Sequence, residues 1–176
     1  MFGCCNLFSS PCRCNGCGNG CPPVPPPVPS PFPPVTPTPA PQLRGMQLSL
    51  VGSSAGSVAS GACVAFDTLN VNTTLGVSYT LGSGQIVLGR TGTYLVNWWV
   101  AVENTQTADL VAFALSLNGS DVATSYSDVG GGQVYGSAIV NVTSIPATLT
   151  LVNRSGEAVT LATAGGQSSL TLTQLA

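Results

Sequence analysis

Lysine and histidine are absent from this 176-residue chain, and charge of either sign is scarce, at 6% of residues against roughly 25% in an ordinary globular protein. The four arginines, Arg13, Arg44, Arg90 and Arg154, are scattered. Nucleic-acid binding needs a dense cationic surface to displace counterions, so that class of partner is excluded. Without His or Lys the usual general bases and the Schiff-base amine are missing too. Carboxylates remain at Asp67, Glu103, Asp109, Asp121, Asp128 and Glu157. Nothing in their spacing brings two together, and they read as solvated loop groups. The chain is expected not to be an enzyme and to carry no cofactor. Gly130-Gly131-Gly132 leads into a strand pattern rather than a helix, so it is no phosphate loop.

Long apolar runs are also lacking. The most apolar stretch, Leu95 to Val102, is interrupted by Asn97 and falls far short of a membrane span. Met1 to Ser10 holds no Lys or Arg and no apolar run of the length that a secretory signal requires. Phe2 rules out a myristoylation start. Cysteine, by contrast, is plentiful, with seven in the chain, and that density points to an oxidising destination. An extracellular character without an export signal fits a bacterial spore layer, assembled inside a mother cell and exposed on lysis. A phage structural protein released by lysis fits it as well.

Composition divides the chain into three parts. Residues 1–21 hold Cys4, Cys5, Cys12, Cys14, Cys17 and Cys21 and read as a Cys-rich anchor. Adjacent cysteines such as Cys4-Cys5 do not bridge each other comfortably, so two different partners are expected, which favours intermolecular disulfides led by Cys4, Cys5 and Cys12. The rival is a metal site, with Cys12, Cys14, Cys17 and Cys21 as four closely spaced thiolates. Disulfides are the preferred reading, and no metal is expected. Residues 22–42 form a stalk or linker: twelve of the twenty residues from Pro22 to Pro41 are proline, which sets a stiff polyproline II spacer against a disordered linker. Residues 43–176 are long enough to bury roughly two-thirds of their unfolded surface in one core.

That third part alternates rather than following a helical period. Expected strands are 47–51, 63–70, 76–80, 85–88, 94–102, 110–117, 133–143, 147–153, 159–162 and 168–174. Turn signals separate them, including Asn118-Gly119 and Gly165-Gly166. Many short strands at this spacing define an all-β class, an antiparallel β-sandwich of the jelly-roll kind. Cys63 reads as a small buried hydrophobe. In the strongest strand Tyr94, Val96, Trp98, Val100 and Val102 make one apolar face, while Leu95, Trp99 and Ala101 stand on the other with Asn97 and Glu103. Trp98 and Trp99 therefore cannot share a core. Either a loop covers Trp99, or Trp99 and Leu95 belong to a subunit interface, the reading preferred here. Asn-x-Ser/Thr triplets at Asn72, Asn118, Asn141 and Asn153 are ordinary in so Ser- and Thr-rich a chain and are not read as glycosylation sites.

Gly92-Thr93-Tyr94-Leu95-Val96, with Tyr79, Gly84-Gln-Ile-Val-Leu88 and the earlier aromatic Phe66, resembles the core motif of the complement-globular-head and tumour-necrosis-factor-like jelly rolls. The closing Leu170-Thr-Leu-Thr-Gln-Leu175 is similar to their last strand, which runs through the trimer centre. The resemblance thus implies a homotrimer with Leu170 and Leu172, beside Trp99 and Leu95, at its interface. The low charge and Ser/Thr/Gly richness look most similar to the heads of exosporium collagen-like glycoproteins (BclA type), with a proline tract where those have collagen repeats. Phe2-Gly3-Cys4-Cys5 with Cys12 resembles the connectors of endospore appendage fibre subunits, which implies disulfide partners in a spore layer or fibre. The function so implied is a structural surface protein of a spore, adhesive or shielding. The alternative is a carbohydrate- or other ligand-binding head of a phage or surface fibre, against which stands the lack of an exposed aromatic platform with nearby acids.

Overall fold

The computed structural model describes residues 42–52, 56–103, 110–128, 132–163 and 165–175. Twelve strands run through them: β1 (Arg44–Leu50), β2 (Ser57–Val58), β3 (Thr68–Asn72), β4 (Val77–Tyr79), β5 (Ile86–Leu88), β6 (Gly92–Val102), β7 (Val111–Leu117), β8 (Ser120–Ser127), β9 (Gly132–Val142), β10 (Ala147–Asn153), β11 (Val159–Thr160) and β12 (Ser168–Gln174). They form two five-stranded antiparallel sheets, ordered β3-β1-β12-β6-β9 and β4-β5-β10-β7-β8, with β2 and β11 as a small separate pair. The chain crosses repeatedly from one sheet to the other, so long-range pairing, not hairpins alone, holds each sheet together.

Alternation puts one set of side chains between the sheets. Met46, Leu48, Leu50, Tyr94, Val96, Trp98, Val100, Leu170 and Leu172 come from the first sheet, and Ile86, Leu88, Phe113, Leu115, Leu149 and Leu151 from the second. Full burial of a Leu or Phe side chain contributes roughly 1.5–3 kcal/mol each, which makes this layer the main source of stability. The amide of Asn153, buried inside, is partnered at both ends. Asn153 donates from Nδ2 to the carbonyls of Val58 and Glu157, each at 2.8 Å, and its Oδ1 accepts the Ser155 N–H at 2.8 Å. With its amide so engaged and no exposed surface, Asn153 is no acceptor for a sugar, as the sequence reading expects.

The strand assignments at 147–153 and 168–174 match residue for residue. The expected 63–70 strand does not form as such: Cys63 makes one isolated bridge to Val152, and the strand begins at Thr68. Cys63 is only half-buried, not enclosed as expected. Strand β8 was not expected. Its inward positions, opposite Phe113 and Leu115, are Ser125 and Ala123, whereas Val122 and Tyr126 point outward. The usual apolar-in pattern is therefore inverted. The Asn118-Gly119 turn that joins it to β7 does behave as the sequence implies, with φ of 51° and 84°, the type I′ geometry of a two-residue hairpin.

A carboxylate fixes the end of β1. Asp67 accepts hydrogen bonds from the N–H groups of Val51 (3.2 Å) and Gly52 (2.6 Å) and from Thr68 Oγ1 (2.8 Å). Burial pushes its pKa up, but these donors together outweigh burial and hold the carboxyl below the ordinary aspartate value. A depressed carboxyl stabilises the fold above the unfolded aspartate pKa, and that contribution is lost as pH falls through the lower, folded value. Asp67→Asn is expected to cost about 1–2 kcal/mol at neutral pH and to flatten the acid limb of the stability curve. Urea titrations of both proteins between neutral and acid pH check it.

Candidate functional site

Cross-strand register fixes what the first sheet shows to the outside. Along β6, Thr93, Leu95, Asn97, Trp99 and Ala101 alternate with the core residues. Leu95 faces Ile139 and Thr173 on the neighbouring strands, Asn97 faces Ser137 and Thr171, and Trp99 faces Tyr135 and Ser169. Gln47 lies beyond, opposite Thr171. The large apolar groups among these are poorly covered: Tyr135 is 64% and Ile139 70% exposed, and Leu95 and Trp99 are half-buried.

Between them lies an open groove of about 510 Å³ lined by Gln47, Asn97, Trp99, Tyr135, Ser137 and Thr171, among others. Its rim is fixed from behind, because Ser169 Oγ donates to the Leu48 carbonyl (3.0 Å) and Ser168 Oγ to the Trp99 carbonyl (2.8 Å). Two aromatic rings and a set of amides and hydroxyls thus share one concave surface. An exposed aromatic platform exists after all, which corrects the argument from sequence against a ligand-binding head. No acid lines it among the described residues.

Every outward residue of β1, β12, β6 and β9 is uncharged, from Gly45, Gln47 and Ser49 across to Gln133 and Asn141. The second sheet differs. Opposite the outward-facing Ser116 stands Asp121, and its carboxylate takes a two-pronged ion pair from Arg154, Nε at 2.8 Å and Nη2 at 2.9 Å. The Arg154 guanidinium holds this carboxyl below the ordinary aspartate value. The second sheet thus carries an ion pair on its outer side, whereas these four strands of the first present no charge there.

Trp98 and Trp99 do point to opposite faces. The Trp99 ring edge rests on the Gly166 backbone, close enough that a Cβ there would lie 3.3 Å away, while its remaining surface opens to the groove. The expected loop cover of this residue holds in part, and the rest of the ring is uncovered in the single protomer. Leu170 and Leu172 need correction. Neither has exposed surface, and they pair with Trp98 and Val96 inside the sandwich. The outward positions of β12 are Ser169, Thr171 and Thr173, because the last strand puts its leucines in the protomer's own core. Cys4, Cys5, Cys12, Cys14, Cys17 and Cys21, the proline tract up to Pro41, and Asp109 lie outside the described residues. Among the described residues no group of three His, Cys, Asp or Glu side chains gathers as a metal site.

Two five-stranded sheets with these crossings and a continuous core define the head as an antiparallel jelly roll of the tumour-necrosis-factor and complement-head kind. No family model and no curated protein matches the sequence. Solved structures do match. Murine APRIL superimposes with a TM-score of 0.59 at 13% identity, over 76% of this chain and 100% of its own. Eiger TNF from S. frugiperda gives 0.55 at 13% identity, over 76% and 93%. The globular domain of zebrafish complement 1qA protein gives 0.51 at 8% identity, over 75% and 95%. The likeness is one of fold, and the Gly92–Val96 motif that suggested it opens β6.

Proposed function

We propose that this chain is a non-enzymatic structural surface protein whose jelly-roll head assembles with two further copies of itself through the outward face of the first sheet. The observation that carries this reading is the absence of charge from that face together with the exposure of Tyr135 and Ile139 on it. Interface centres are depleted in charge and enriched in aromatics, and an apolar surface of this kind on a soluble head marks an association site. The trimeric state follows the resemblance to complement-type heads. Light scattering on the reduced chain tests it: a trimer is expected at micromolar concentration, and a stable monomer overturns it.

The rest of the proposal places the head on a bacterial spore layer or appendage, in adhesion or shielding, as in the exosporium glycoproteins it resembles. Cys4, Cys5 and Cys12 fix it there through intersubunit disulfides. Three copies would bring three cysteine clusters together, so that each further bond forms intramolecularly. Replacing these three residues by Ser is expected to release the protein from its native layer without reducing agent. Unchanged extraction disproves the covalent anchor and leaves self-association standing.

A second reading is supported by the groove. Trp99, Tyr135, Asn97, Gln47 and Thr171 offer stacking surfaces and neutral hydrogen-bonding groups, which suit an uncharged saccharide. Binding on a glycan array that is lost in Tyr135→Ala, by a head that stays monomeric, would favour this reading over the first.

A further inference from the structure

At the end of the first sheet where β1 begins and β12 ends, Gln42, Arg44, Leu75, Arg90, Gln174 and Leu175 line an open recess of about 280 Å³. Two of the chain's four arginines meet there. Among the described residues neither forms an ion pair, and no carboxylate lines the recess. Two guanidinium groups sharing one recess repel each other unless an anion lies between them.

Both arginines are held from behind. Arg44 pairs in register with Gln174. The backbone of Arg90 is tied by the Tyr94 hydroxyl, which donates to its carbonyl at 2.9 Å. The Arg90 stem lies over Gly76, whose absent Cβ would sit 2.8 Å from Arg90 Cγ. Gly76 has φ of +71°, and its carbonyl accepts the Gly89 N–H at 2.6 Å. A glycine thus supplies both the turn and the seat for the side chain, which leaves less rotamer freedom to lose on binding.

We propose that this recess binds an oxyanion, a carboxylate or phosphate group on a sugar or small acid, gripped by the Arg44 and Arg90 guanidiniums. Guanidinium forks match both kinds of anion. The recess lies at the strand ends, apart from the groove, so its fate is separate from that of the self-association surface.

Ligand-observed NMR titration of the full, reduced chain tests the site with sodium glucuronate, inorganic phosphate and, as the neutral counterpart of the first, glucose. Saturable binding is expected for glucuronate, phosphate or both, weakening as salt rises, with none for glucose. Which anion binds identifies the group recognised. Arg44→Gln and Arg90→Gln are each expected to weaken binding on the order of tenfold, and Arg154→Gln, which removes one positive charge elsewhere, to leave it unchanged. The Gln variants keep the aliphatic stems, and equal melting temperatures confirm that they fold. The proposal fails if glucose binds as well as glucuronate, if neither anion binds saturably, or if all three variants bind as the parent does.

Discussion

Ile139→Asp is expected to leave the head folded and monomeric. The side chain it replaces is 70% exposed in the single protomer, so the core loses nothing and the melting of an isolated protomer stays near the parent value. In the assembled form the new carboxylate would enter a face with no charge on Leu95, Thr173 or any other outward neighbour. Burying an unpaired charge costs several kcal/mol, enough to raise the dissociation constant by a factor of a thousand or more. Tyr135→Ser makes the milder companion, since truncating a central aromatic typically costs ~2 kcal/mol. Light scattering across a concentration series reads both. Leu172→Ala provides the contrast: a fully buried leucine costs about 2–5 kcal/mol of folding stability, so that variant loses stability as a protomer. If Ile139→Asp remains a trimer, the interface lies elsewhere.

The second large effect centres on Gly136. This residue pairs with Trp98 across β6 and β9 on the core side. A Cβ added there would overlap the Trp98 indole and the Ser125 hydroxyl of the opposite sheet. The indole thus occupies room left by a glycine beside it and a serine beyond it. Gly136→Ala is expected to lose about 1–3 kcal/mol or more through overpacking, a fall of about 3–9 °C in melting temperature. The loss is steric, so Trp98→Leu in the Gly136→Ala background is expected to recover part of it, and a double-mutant cycle measures the coupling. Parent-like stability of Gly136→Ala would show that the indole moves aside freely.

The same contact explains where the sequence was legible and where it was not. Strands β6, β10 and β12 carry regular alternation, and their bounds could be read to within two residues or better. Strand β8 could not, because its inward residues are small to make space for Trp98 while its larger ones face water. Periodicity records hydrophobicity, and here the relevant variable is volume. The candidate face was half legible. Two adjacent tryptophans forced one of them outward, and Leu95 followed by parity. Tyr135 and Ile139 were hidden because β9 alternates weakly, with Gly136 and Ala138 on its inner side. Leu170 and Leu172 were misassigned because alternation alone does not say which face of a closing strand meets the protomer's own core. The arginine recess had no signal at all: Arg44 and Arg90 are far apart in sequence, and only the pairing of the last strand with β6 on one side and the first strand on the other brings them to one end.

That pairing also governs how the head bears load. Strand β1 lies between β3 and β12 and is bonded along both edges, in register with all seven residues of β12 from Arg44 opposite Gln174 to Leu50 opposite Ser168. Tension entering at Gln42 and directed along the strand stretches those bonds together, in shear, rather than peeling them one at a time. A body hung from this strand is suited to resist drag from moving fluid.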